Sequence, residues 1–136
     1  MAIHNCIEYT VKVYMDITGW YLNRWYLNNK LHRENGPAIE YADGSREWWL
    51  NGELHRKDGP AIEDRNGYKA WFLNGKRHRE DGPAIENSNG YKAWYLNDTE
   101  YSELEWEQEV KEINNRSYTG KVVEIDGKKY KLVEEN

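Results

Sequence analysis

The chain has 136 residues, with 24 acidic and 19 basic side chains and a formal net charge of −5. Leu, Ile, Val and Phe together supply only 24 residues, a disorder-prone level, but the small net charge, seven Trp and eleven Tyr argue for one folded domain with an aromatic core. Residues 1–97 carry 13 basic and 13 acidic groups, so a phosphate-seeking basic surface is excluded; the excess acid lies in residues 98–115, seven acids against one Lys.

The N-terminal stretch MAIHNCIEYT has no basic flank and no apolar run, so no secretory leader is expected. Cys6 is the only cysteine, which rules out a disulfide within the chain, and its strand-like setting suits burial better than nucleophilic attack. No stretch has the length and apolarity of a membrane span. The expectation is a soluble, cytoplasmic protein: bacterial cytoplasm, or host cytoplasm if the gene is a phage's. Residues 6–14, CIEYTVKVY, alternate: Ile7, Tyr9, Val11 and Val13 share one side and Glu8, Thr10 and Lys12 the other, as in a half-buried strand. A turn, MDITG, leads into GWYLN at Trp20, an irregular opening unit that completes residues 1–24.

A 23-residue unit then recurs without insertion, as 25–47, 48–70 and 71–93, with a partial copy at 94–97. Each copy joins an aromatic run such as WFLN to an HRxxGPAIE segment. Asn51-Gly52 and Asn74-Gly75 mark one tight turn, and Asp43-Gly44, Asn66-Gly67 and Asn89-Gly90 a second, through the positive φ such pairs supply. All three prolines fall in GPAIE, where a strand start costs no ladder bond. Each repeat thus reads as two short strands joined by a loop. Stacked copies make an elongated, twisted antiparallel β-meander of hairpins.

Beyond the repeats, Ser102 and Glu105 form a capping box, and Trp106, Val110 and Ile113 share a helical face. A short acidic helix is expected within 98–116, ending at Asn114-Asn115 and docking its Trp106 face on the sheet end as a cap. In residues 117–136, KVVEIDGKKYKLV predicts a hairpin around Asp126-Gly127, with Val123 opposite Tyr130, Lys121 opposite Leu132 and Glu124 opposite Lys129. The fold class is therefore mainly β, with one short C-terminal α-helix and a terminal β-hairpin.

The aromatic strand, NG-type turn, loop His and closing DG-type turn, best seen in WFLNGKRHREDGPAIENSNG, resemble MORN (membrane occupation and recognition nexus) repeats over residues 20–97. Where those repeats carry Gly after the His, this chain has Arg33, Arg56 and Arg79. The wording is similar to a MORN-like variant of small bacterial and phage proteins. The resemblance implies an elongated hairpin meander for binding, scaffolding or dimerisation, with no catalytic residues.

Repetition governs how candidate sites are read. His32, His55 and His78 recur at equivalent positions, which lie about 10 Å apart when each repeat adds two strands. One zinc ion needs its nitrogens within about 4 Å of one another, so no shared metal is expected and the row is structural, bonded to turn backbone or to Asp58 or Asp81. Arg33, Arg56 and Arg79 pair with Glu40, Glu63 and Glu86 in one reading and form an anion ladder in another. Trp25, Trp48, Trp71 and Trp94 form one aromatic row and Tyr26, Trp49, Phe72 and Tyr95 the next, on opposite sheet faces. Either a partner covers the second row at Trp49, Phe72 and Tyr95, or curvature and the terminal segments do. Glu103, Glu107 and Glu112 belong to a solvated acidic helix or to a patch steering toward a basic partner.

No phosphate-binding loop, metalloprotease or nucleophile-elbow motif occurs, and no catalytic residue or cofactor is expected. The functional expectation is a non-enzymatic protein–protein binding module of bacterial or phage origin, in its concrete version a phage inhibitor of a host defence protein. The alternatives are a protein that sequesters a small ligand such as a nucleotide, and a homo-oligomeric scaffold element joined through sheet edges. Neither membrane contact nor direct nucleic-acid binding is expected.

Overall fold

A computed structural model describes residues 8–15, 21–118 and 120–133. The expectations for Cys6, Ile7 and Trp20 lie outside the described residues. In chain order the elements are β1 (Thr10–Met15), β2 (Tyr21–Leu27), β3 (Lys30–Leu31), β4 (Ile39–Tyr41), β5 (Arg46–Glu47), β6 (Trp49–Leu50), β7 (Glu53–Leu54) and β8 (Ile62–Glu63). They continue with β9 (Lys69–Ala70), β10 (Phe72–Leu73), β11 (Lys76–Arg77), β12 (Ile85–Glu86), β13 (Lys92–Leu96), β14 (Thr99–Tyr101), α1 (Glu103–Tyr118), β15 (Val122–Ile125) and β16 (Lys128–Lys131).

The architecture is a mainly antiparallel β-meander. One sheet runs β1-β2-β4-β5-β8-β9-β12-β13-β14, with β3 on β2, and β6–β7, β10–β11 and β15–β16 form separate hairpins. The repeat is finer than two strands. At Trp48 and Trp71 the aromatic strand leaves one ladder for another. Their amide N–H groups donate to Ala61 and Ala84 carbonyls at 2.8 Å, and their carbonyls accept from His55 and His78 amides at 3.0 and 3.1 Å. The segment before each Trp pairs with the Ile-Glu strands; the segment after it closes a hairpin of its own.

Two turn types punctuate this path. Asn51-Gly52 and Asn74-Gly75 both take positive φ, the two-residue turn whose twist matches the strands. At the second turn only the glycine does so (Gly44, Gly67, Gly90), so those pairs form the longer bulged turn instead. Asn28-Asn29 and Asn97-Asp98 adopt the first geometry without glycine.

The core is not aromatic. Ala38, Ala61, Ala70 and Ala84 are completely buried and Ala93 nearly so, whereas Tyr95 is the only buried Trp, Tyr or Phe among the described residues. Trp71 and Ile85 pack against the cluster of Ala84, Ala93 and Tyr95. Ile39 and Leu96 are buried too, and at Trp71 the small alanines leave space for a half-buried indole. Aromatic area is removed from water partly by polar side chains lying over it, as described below.

The ends differ from expectation. β1 begins at Thr10, forms the sheet edge and is exposed throughout, with Val13 and Met15 61% and 67% accessible, so it is not half-buried. The predicted capping box is present: the Ser102 amide and hydroxyl both donate to Glu105 Oε2, at 2.9 and 2.6 Å. The helix runs through Asn114 and Asn115 to Tyr118 rather than stopping there. Glu112 and Arg116 pair across that stretch at 2.8 Å, an i,i+4 contact that helps carry the helix past two weak helix formers. In the terminal hairpin Val123 faces Tyr130 and Glu124 faces Lys129, as the turn predicts.

Candidate functional site

The recurring spacing HRxxGP builds one side-chain assembly per repeat. The guanidinium of Arg33, Arg56 or Arg79 lies over the ring of Trp25, Trp48 or Trp71, with Cζ 4.0, 3.8 and 3.8 Å from the ring centroid. It donates to the carbonyl of Pro37, Pro60 or Pro83 at 3.1, 3.1 and 3.0 Å. It also donates to Glu40, Glu63 or Glu86 at 3.1, 2.7 and 2.8 Å. Arg56 and Arg79 further bond Asp58 and Asp81, at 3.2 and 2.7 Å; the corresponding position in the first repeat is Asn35. Each guanidinium is thus held against Trp and neutralised by its own repeat. An anion would have to displace a carboxylate at every step of the Arg row.

The glycine of GP belongs to this assembly. A Cβ on Gly36, Gly59 or Gly82 would meet the Arg Cζ at 3.2, 2.9 or 3.0 Å. The arginine is therefore sandwiched between an indole and a bare backbone. Gly59 and Gly82 have no positive φ, so space rather than backbone conformation requires them.

The histidines tie each repeat to the next. The Asn51, Asn74 and Asn97 amides donate to Nδ1 of His32, His55 and His78 at 3.0, 3.1 and 3.2 Å. Oδ1 of the same asparagines lies 3.0, 2.9 and 3.1 Å from Nδ1, so each ring meets both backbone and side chain of the turn residue. His78 Nε2 lies 3.1 Å from Glu80, while His32 Nε2 is buried without a hydrogen-bond partner among the described residues. Asp58 and Asp81 do not serve the histidines; they serve arginine. Among the described residues no cluster of His, Cys, Asp and Glu is placed to hold a metal ion.

The second aromatic row is not uniform. Trp49 is half-buried and its indole N–H donates to Glu47 at 2.8 Å; Phe72 is also half-buried. Tyr95 is buried beneath Arg77, whose Cζ stands 4.1 Å from the ring, so it offers little to a partner. Trp94, last of the first row, is half-buried in β13. Glu103 and Glu107 are exposed, and Glu112 is engaged by Arg116.

Between successive loops lie two equivalent open clefts of about 590 Å³ each. The first has Pro37, Trp48, Leu50 and His55 among its walls; the second has Pro60, Trp71, Leu73 and His78. The loop at Arg56, Lys57 and Asp58 separates them and lines both. Leu50 and Leu73 are not among the residues the sequence singles out, and the prolines are read there only as strand starts, although their 23-residue recurrence is the available signal.

Titration shifts lie elsewhere. Burial first, and then its hydrogen bond to Glu47, push the Tyr41 hydroxyl up to about 12. Burial also raises Tyr95, with Glu100 adding to it. The Arg77 side chain holds Asp98 below the usual carboxylate range, and Ser45 and Ser102 do the same for Asp43 and Glu105. None of these groups lines either cleft. No described helix is long and apolar enough to cross a membrane. No family model, curated protein or solved structure matches the chain.

Proposed function

We propose that the chain is a non-catalytic protein–protein binding module of MORN-like repeats, of bacterial or phage origin, and in concrete form a phage inhibitor that occludes a host defence protein. The observation that supports binding is the pair of equivalent clefts, each walled by Trp, Leu and Pro and rimmed by charge. Apolar walls with a polar rim are the layout of a contact surface.

The test is quantitative affinity capture from a bacterial lysate, with wild type beside a Leu50→Arg/Leu73→Arg variant whose circular dichroism matches. One dominant protein is expected, enriched at least tenfold by wild type over the variant. Equal recovery by both, or no enriched protein, refutes the proposal. A second reading, self-association, is favoured by the exposed edge strand β1 with its accessible Val11, Val13, Tyr14 and Met15. Sedimentation showing a concentration-independent monomer removes it.

A further inference from the structure

At the repeat position that follows the two open clefts, the chain's own helix meets the sheet. Arg79 is the repeat equivalent of Arg33 and Arg56, and its carbonyl accepts a hydrogen bond from the Trp106 indole N–H at 2.9 Å. Trp106 projects from α1, which packs on β13, the strand carrying Trp94 and Leu96. Those two residues are the repeat equivalents of Trp71 and Leu73 in the second cleft. At the third position, then, a helix packs on the strand that carries the Trp-Leu pair, and its indole bonds the Arg carbonyl. At the first two positions the same wall is present and no described residue donates to the Arg33 or Arg56 carbonyl.

We infer that the two open clefts are docking sites for a partner helix that presents aromatic side chains, chiefly indoles, in the manner of Trp106. The inference rests on the binding reading above and names the partner's chemistry. The pitch of the clefts sets its register. Each repeat adds two strands to the main sheet, so successive clefts lie roughly 9.6 Å apart. Residues seven apart on one helix face are separated by about 10.5 Å. Same-face residues of an extended strand recur at about 6.6–6.8 Å, which misses that pitch. A helix with aromatics at i and i+7 therefore reaches both clefts at once. The cleft rims carry both signs of charge, Lys57 beside Asp58, Glu80 and Asp81, so the indole rather than net charge dominates recognition.

The chain's own helix supplies the probe. A synthetic peptide of residues 102–117 is added to the full-length, isotope-labelled protein, with backbone amide shifts as readout. The expected result is shifts at Trp48, Leu50, Trp71 and Leu73, with a dissociation constant on the order of 1 mM. The peptide carrying I113W places a second indole seven residues after Trp106 and is expected to bind at least tenfold more tightly through simultaneous engagement. The W106A peptide is expected to bind about 30-fold more weakly than the parent.

Equal binding by the W106A peptide overturns the inference. So do shifts confined to Arg79, Trp94 and Leu96, or tighter occupancy of the clefts by a proline-rich peptide of equal length. Absence of binding by the I113W peptide at millimolar concentration does the same. If the peptides fail while a lysate partner is still lost on Leu50→Arg/Leu73→Arg, the helix assignment falls and the binding module stands. If both fail, both fall.

Discussion

Replacing Gly82 by alanine tests whether the Trp–Arg–Gly sandwich holds the repeat together. Gly82 has no positive φ, so on backbone grounds alone alanine should stabilise by about 0.4–1 kcal/mol, through a less flexible unfolded chain. The added Cβ would, however, stand 3.0 Å from Arg79 Cζ. A free arginine end would move aside at little cost. This one is pinned by Trp71 at 3.8 Å, the Pro83 carbonyl at 3.0 Å and Glu86 at 2.8 Å. Loosening the cation–π contact costs about 0.5–2 kcal/mol, and weakening a charge-assisted hydrogen bond about 1.5–3 kcal/mol when it is lost outright. Partial loss of each, less the backbone gain, leaves Gly82→Ala destabilising by about 1–2 kcal/mol, or roughly 3–8 °C in Tm. The assay is urea unfolding of wild type, G82A, R79A and the double variant, followed by Trp fluorescence. In the R79A background the clash is gone, and G82A should become neutral or stabilising by up to about 1 kcal/mol. Equal destabilisation in both backgrounds would refute the sandwich.

Asn29 holds φ 61° where the next two repeats place Gly52 and Gly75, so Asn29→Gly should raise stability by about 0.5–1 kcal/mol, seen as a Tm increase of about 2–4 °C. Ser102→Ala removes the helix cap at a cost of about 1 kcal/mol and should expose the Trp106 indole proton to faster solvent exchange; unchanged exchange would disconnect the cap from docking. Tyr41 holds its proton more tightly folded than unfolded, so its contribution is fully present below about pH 10 and is lost as pH rises toward about 12. Thermal melts should show wild type losing more stability over that window than Tyr41→Phe, and parallel curves would contradict the raised Tyr41 value.

The 23-residue period, the main-chain turns, the capping box and the register of the terminal hairpin were legible in the sequence because each is local. A positive-φ pair, an S-x-x-E spacing or a Val123–Tyr130 pairing depends on residues a few positions apart. The Arg33–Glu40, Arg56–Glu63 and Arg79–Glu86 pairs were legible for the same reason, at a separation of seven residues. What repetition did not reveal is which neighbour each repeated side chain meets. Composition suggested an aromatic core, yet five alanines with Ile39, Leu96 and Tyr95 are what the described fold buries, and Trp71 packs only partly buried against them. Histidine chose the turn of the following repeat, 19 residues on, over nearby aspartates, because stacking brings that backbone N–H to Nδ1. Glycine was readable as a turn residue, but only the packed structure shows that Gly59 and Gly82 make room for arginine. The same holds for Trp106: its helical face was evident from spacing, while its bond to Arg79 O, 27 residues away, exists only once the repeats have stacked.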